Sequence, residues 1–152
     1  MRLFKKKRVL KAVANGQLIP LEEVNDAVFS QKMMGIGFAI INHSGQVYSP
    51  VSGKILSIFP TLHAITLESE AGDTLLIHMG LETVDLKGAP FSLLAAEGET
   101  VECGQKLAEM NLAMLKDERK DSVVIVVLPE AAKGDMIKDR KQVSIEDDVF
   151  KL

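Results

Sequence analysis

Along most of the chain apolar and polar residues alternate or gather in short apolar runs, and glycine or proline breaks the pattern at short intervals. A period of two sends successive side chains to opposite faces, which is the mark of a strand with one buried side. On this basis the sequence predicts strands at Val9–Ala14, Gln17–Pro20, Gly37–Asn42, Gln46–Ser49, Gly53–Phe59, His63–Ser69 and Thr74–Met79. Further strands are expected at Phe91–Ala95, Lys106–Met110, Ser122–Leu128 and Gln142–Ile145. Helical periodicity is scarce; Asn25–Gln31 and Asn111–Lys116 suffice for a turn or two each. Many short strands between turn residues predict an all-β chain: an antiparallel β-sandwich or barrel with a few short helical turns. Two stretches, GQVYSPVSGKILSI and EGETVECGQKLAEM, each set a glycine-bounded turn between short alternating runs, the pattern of a duplicated hairpin unit.

The length of 152 residues, 47% of them hydrophobic and 26% charged, fits one domain with its own core. Charge divides it. Six cations and no acid fall within residues 1–11, so the total of −3 leaves the remainder at −9. We therefore expect a basic N-terminal leader over residues 1–13 and a single domain over 14–152. An acidic body argues against nucleic acid as a partner, because phosphate contacts need a basic face. The leader is the segment suited to weak contact with an anionic membrane surface. Drawn as a helix it is poorly amphipathic, since Arg2 and Lys6 share the arc of Leu3, Leu10 and Val13. No apolar run approaches the ~20 residues of a span, and none follows the basic start as in a secretory signal. The lone Cys103 excludes an internal disulfide and fits a reducing compartment. The expected location is cytoplasmic, with the leader allowing a peripheral position at the inner face of the membrane. Without a histidine nearby, Cys103 reads as a small packing residue.

The chemistry gathers in LLIHMGLETVDLKG, residues 75–88. A strand there ends in His78, with Gly80 two residues on. If Ala71-Gly72 forms a two-residue hairpin tip, Ile65 lies opposite His78 and His63 opposite Gly80. His63 and His78 then share a face as diagonal neighbours, within reach of one another. A slip of one residue would send the two rings to opposite faces. A neutral imidazole is a nucleophile near pH 7, and a second ring can donate to charge on a transferred group. Thr61, with the same strand parity as His63, is placed to orient that ring. Gly80 would leave room for a phosphoryl group, and its N–H could approach an oxygen. The competing reading is a satisfied structural pair. His43, in NHSGQ, reads as an exposed loop residue.

Other classes fit poorly. Two histidines are too few for a closed zinc site unless Glu82 or Asp85 completes it, so no metal is assigned. There is no Gly-x-Ser-x-Gly elbow, no Cys–His arrangement and no glycine-rich phosphate loop. A biotinyl or lipoyl carrier needs a lysine at its hairpin tip, and the tip here reads Glu-Ala-Gly-Asp. A zinc peptidase on a related sandwich needs an additional His-x-His pair, which three histidines so spaced do not supply.

From Gly16 to Pro129 the chain closely resembles the glucose-type IIA component of the bacterial phosphoenolpyruvate-dependent sugar phosphotransferase system. The matching stretches are PLEEVNDAVFSQKMMGIG, SPVSGKILSIFPTLHAITLES, GDTLLIHMGLETVDLKG and EGETVECGQKLAEMNL. The specific signal is Thr-x-His-Ala followed, fifteen residues from the first histidine, by His-x-Gly-x-acid-Thr-Val. The resemblance implies a duplicated antiparallel β-sandwich and a phosphotransferase component with a phosphohistidine intermediate. His78 matches the phosphorylated histidine, His63 its partner, Thr61 the orienting hydroxyl and Gly80 the adjacent glycine. It implies phosphoryl uptake from the phosphocarrier protein HPr and delivery to a cysteine of a IIB domain, with no cofactor. A docking rim of Val28, Phe29, Met33, Met34, Phe59 and Leu76 is implied, with Asp26 and Glu82 as charges facing basic groups on HPr. Glu82 is also expected to disfavour overstabilising the phosphoryl dianion. About half of the apolar positions are expected to be plain core. The alternative is a regulatory protein that signals sugar flux to further partners through its phosphorylation state. Glu82 stands where the family usually has Asp, Leu62 and Ile36 where it is commonly polar, and the tail beyond Pro129 resembles the family only loosely. Without IIB or IIC sequence, the chain is expected to act as a free-standing subunit.

Overall fold

A computed structural model describes residues 8–137 and 141–152. The largest sheet has eight strands, in the spatial order Gln142–Val143, Gly16–Pro20, Ile36–Ile41, Val124–Leu128, Thr74–Met79, Ala64–Ser69, Gly53–Ile58 and Thr100–Val101. One three-stranded sheet holds Val9–Lys11, Asp148–Lys151 and Asp135–Met136; another holds Gln46–Tyr48, Lys106–Met110 and Phe91–Leu93. All pairings are antiparallel. The β-sandwich expected from the alternation is therefore present. Thr100–Val101, Asp135–Met136 and Asp148–Lys151 were not expected; the first two are only two residues long, too short to show a period.

The two glycine-bounded stretches pair with each other. Gly53 and Lys54 lie opposite Val101 and Thr100, while Gln46 and Val47 lie opposite Glu109 and Ala108. Each stretch thus gives one strand to the large sheet and one to a small sheet.

The large sheet is covered on both sides. Val124–Leu128, an apolar run at its centre, is buried at every position for that reason. Phe38, Ile40, Ile65, Leu75, Ile77 and Met79 face the main core, which includes Leu10, Val47, Leu107 and Phe150 from the small sheets. Their neighbours along the strands, Ala39, Ala64, Leu76, Ile125 and Val127, face a second core closed by Leu21, Val24 and Phe29. Phe29 belongs to the short helix Ala27–Ser30, whose first turn is held by the Asp26 carboxylate accepting from the Val28 N–H at 2.9 Å.

Of the leader expected over residues 1–13, residues 1–7 and the membrane contact proposed for them lie outside the described residues. Val9–Lys11 pairs with Asp148–Lys151, and Leu10, Ala12 and Val13 are buried in the main core.

The hairpin of residues 64–79 differs from the expected register. Its tip is three residues long: Ser69 N–H donates to Asp73 O at 2.8 Å, and Gly72 N–H donates to Ser69 O at 2.9 Å. Gly72 takes the left-handed position, φ +92, that such a turn requires. The extra tip residue shifts the ladder by one, so Ala64, and not Ile65, lies opposite His78.

Candidate functional site

His78 is the next-to-last residue of its strand and points to the second core, flanked across the ladders by Ala64 and Ile125. With the observed register, strand parity alone would put His63 on the other face. The two rings nevertheless meet, because His63 precedes the strand and Leu62 before it is left-handed, φ +61. A tight turn over Phe59-Pro60-Thr61-Leu62, closed by Leu62 N–H to Phe59 O at 2.7 Å, delivers His63. Its backbone is pinned to the His78 strand by Met79 N–H donating to His63 O at 2.7 Å. The ring centroids stand 5.1 Å apart, edge to face at 77°. The expected pair is therefore assembled, though by a break in the strand instead of by ladder parity.

The remaining contacts of each ring fix its chemistry. His78 Nδ1 lies 2.8 Å from Gly80 O, and a carbonyl only accepts, so Nδ1 carries the proton and Nε2 keeps a lone pair. His63 Nδ1 lies 2.6 Å from Thr61 Oγ1, as expected for an orienting hydroxyl. Phe29 stacks at a tilt 5.0 Å from His78, and the Phe59 ring meets His63 edge-on at 5.4 Å. Burial pushes the His78 ring down from 6.5 to about 4, and the neighbouring His63 adds to that; the Gly80 bond and the Asp26 charge act the other way. Burial also lowers the pKa of His63. Both rings are therefore neutral at pH 7.

Gly80 serves differently than expected. Its N–H is committed to Val123 O at 2.7 Å and does not approach a ligand. Nor is the missing Cβ an open space, since one would fall 2.5 Å from Thr83 Cγ2 and 2.8 Å from Asp121 O at φ +78. Glycine is needed there so that the chain can turn back and offer its carbonyl to His78.

Glu82 and Asp85 sit in the following turn, where Lys120 Nζ lies 3.9 Å from one carboxylate and 3.4 Å from the other. Val28, Met33, Met34 and Phe59 are exposed, whereas Phe29 and Leu76 are buried core, so two of the six are core where about half were expected. Val84, 47% exposed between Glu82 and Asp85, is an apolar surface residue that strand patterning passed over. Its signal was an isolated apolar side chain in a polar turn. Lys120, far along the sequence, gave none.

His43 corrects an expectation. It is buried, not an exposed loop residue: Nε2 donates to Ser122 O at 2.6 Å and Nδ1 accepts from Gly45 N–H at 3.0 Å. Burial lowers its pKa as well. A turn motif reveals the backbone path but not what later packs over it. Cys103 is half-buried and its thiol is pushed up by burial, in keeping with a packing residue.

A cleft of about 400 Å³ lies at the opposite, tip end of the hairpin, lined by Arg8, Lys11, Ser69, Asp73, Cys103 and Asp148 among others. Four of its charges are spent internally, in the pairs Arg8–Asp73 and Lys11–Asp148. Among the described residues no group of three or more His, Cys, Asp or Glu is arranged to hold a metal ion, and no helix is long and apolar enough to cross a membrane.

The family described as "phosphoenolpyruvate-dependent sugar phosphotransferase system, EIIA 1" matches residues 8–134. The chain belongs to this family. It is 42% identical to a glucose-specific EIIA component of Halalkalibacterium halodurans, over 79% of this chain and 69% of that protein. It is 45% identical to a glucose-specific EIICBA component of Streptococcus pneumoniae over 86% of this chain, spanning only 18% of that longer protein. The glucose permease IIA of Mycoplasma capricolum superposes with a TM-score of 0.86 at 33% identity, covering 99% of this chain and 98% of that one. The tail that resembled the family only loosely in sequence thus shares its fold. This EIIA protein is a phosphoryl carrier of sugar transport, and its family works with HPr and IIB components.

Proposed function

We propose that His78 Nε2 is the phosphoryl acceptor of this EIIA protein. The bond between phosphorus and the phosphohistidine nitrogen of HPr breaks as the bond to Nε2 forms. The phosphoryl group then leaves Nε2 for the sulfur of a IIB cysteine thiolate, and His78 returns to its neutral state. The observation that carries this is the Nδ1–H bond to Gly80 O, which leaves the Nε2 lone pair of a neutral ring free, on a ring whose centroid lies 5.1 Å from that of His63. His63, oriented by Thr61, donates to the phosphoryl oxygens and offsets charge in a transfer that depends on positioning more than covalent help.

The exposed apolar residues Val28, Met33, Met34, Phe59 and Val84 form the docking rim. Methionine suits a surface that must fit HPr and IIB in turn. Asp26, Glu82 and Asp85 supply the acidic edge for basic partners. The names of relatives, glucose-specific and glucoside-specific, favour glucose or a glucoside as the sugar, and the site of action is the cytoplasmic side of the membrane.

The test is intact-mass spectrometry after incubation with phosphoenolpyruvate, enzyme I and HPr. One acid-labile phosphoryl group is expected, abolished by His78→Ala and made slower to form by His63→Ala. Full phosphorylation of His78→Ala would reverse the assignment.

A further inference from the structure

Two peptide planes stand between Met79 and Leu81, and they decide where the Gly80 carbonyl points. The 80–81 plane has its N–H bonded to Asp121 O at 3.0 Å and its carbonyl bonded to His78 Nδ1 at 2.8 Å. The 79–80 plane has its N–H bonded to Val123 O at 2.7 Å and its carbonyl to Thr83 Oγ1 at 2.6 Å. Of these four bonds, the last is the one supplied by a side chain other than His78 itself. Thr83 is fully buried, so no water replaces its hydroxyl, and its methyl group fills the space beside Gly80 that a Cβ would need. Met79 also holds His63 through its N–H. The Thr83 hydroxyl therefore acts on the residue that links the two histidines.

We infer that Thr83 is a positioning residue for the phosphoryl transfer: by fixing the Met79–Gly80 peptide it keeps the Gly80 carbonyl on His78 Nδ1 and so keeps Nε2 unprotonated. The inference rests on His78 Nε2 being the acceptor, but its first readout does not. Without the hydroxyl, the 79–80 plane keeps its N–H bond to Val123 O but loses its carbonyl partner, and it can tilt about that remaining bond at a glycine, which resists little. The carbonyl then drifts from Nδ1, and the ring exchanges part of its population to the tautomer with the proton on Nε2, which has no lone pair there to attack phosphorus.

The experiment is long-range proton–nitrogen NMR on the full chain labelled with ¹⁵N-histidine, comparing wild type, Thr83→Val and Thr83→Ser at pH 7.5. Wild type is expected to show His78 almost wholly as the Nδ1–H tautomer. Thr83→Val, nearly isosteric, is expected to raise the Nε2–H form to a readily measured fraction. It should also slow phosphoryl acceptance from phospho-HPr about 10-fold, with the KM for phospho-HPr unchanged. Thr83→Ser, which keeps the hydroxyl, should restore both. If the valine variant does not fold, Thr83→Cys takes its place, with a weaker donor and a smaller tautomer shift in the same direction. A His78 spectrum that stays wild-type in the variant lacking the hydroxyl overturns the inference, as does a serine variant that behaves like valine. Should wild type itself fail to accept phosphoryl, the proposed function falls while the tautomer readout still judges Thr83.

Discussion

Acidification from pH 7.5 to 5 is expected to cost about 2 kcal/mol of folding stability through His78 alone, a loss that His78→Gln removes. The ring's pKa falls from 6.5 to about 4 on folding, because burial first and His63 second oppose its charge. Above 6.5 the ring is neutral in both states and nothing is lost. As the pH drops through 6.5 the unfolded chain takes up a proton that the folded chain refuses, so stability falls until the folded ring also protonates near 4. The total available is about 3.4 kcal/mol, of which about 2 kcal/mol is spent by pH 5. His43 and His63, whose pKa values burial also lowers, remain in both proteins, as do the carboxylates, so they largely drop out of the comparison. Urea unfolding followed by circular dichroism at several pH values gives the stability difference between wild type and variant. It should move by about 2 kcal/mol against wild type between pH 7.5 and 5. Parallel curves for the two proteins, or an NMR titration of His78 near its ordinary value, would refute the reasoning. His63→Gln should raise the pKa of His78 only part of the way, since burial is the larger cause.

Gly80→Ala should destabilise the fold by roughly 2–3 kcal/mol, because the new Cβ meets Thr83 and the Asp121 carbonyl in a left-handed conformation; a thermal melt within a degree of wild type would contradict this. Lys87→Gly should stabilise it by about 0.5–1 kcal/mol in urea titration, since Lys87 is an exposed left-handed cap, φ 54, that glycine adopts without cost. Lys120→Met should change stability by less than about 1 kcal/mol, its carboxylate partners being mostly exposed, yet it should speed association with HPr at low salt by unmasking Glu82 and Asp85. Stopped-flow binding at two ionic strengths checks the second effect, and an unchanged or slower association rate would count against the acidic edge as a docking element.

Strands in the interior of the sheets were legible because burial there imposes a pattern, alternation where one face is buried and a continuous apolar run such as Val124–Leu128 where both are. Thr74–Met79 and Lys106–Met110 match their expected bounds. What the sequence hid was one residue of loop length. Ala71-Gly72 reads as a two-residue tip, but Gly72 is the left-handed end of a three-residue one. The expected register brought the histidines to one face, and the observed register would have separated them. They meet because Leu62 takes a conformation that leucine seldom adopts, which strand patterning does not reveal. His43 was misread and Lys120 overlooked for a common reason. Each acts through backbone or charge brought from a distant part of the chain, and periodicity carries no record of such partners. Thr83 bonds back only four residues, to Met79 O, within a turn that alternation does not describe.

A carrier must bind its cargo well enough to take it and loosely enough to pass it on. Two neutral rings meet that need better than a cation would. An imidazolium or a lysine beside the phosphoryl group would add attraction that the next acceptor would have to overcome, whereas a neutral N–H donates a hydrogen bond of moderate strength. Burial keeps both histidines uncharged, and Lys120, the cation facing the turn after Gly80, is directed to Glu82 and Asp85. The acidic edge then acts on the partner and not on the bond being made. On the function proposed above, it attracts basic surfaces on arrival. Under that proposal, polarity at this edge does what a deep pocket does in a small-molecule enzyme: it selects who may approach, while leaving the reacting nitrogen open to two partners in succession.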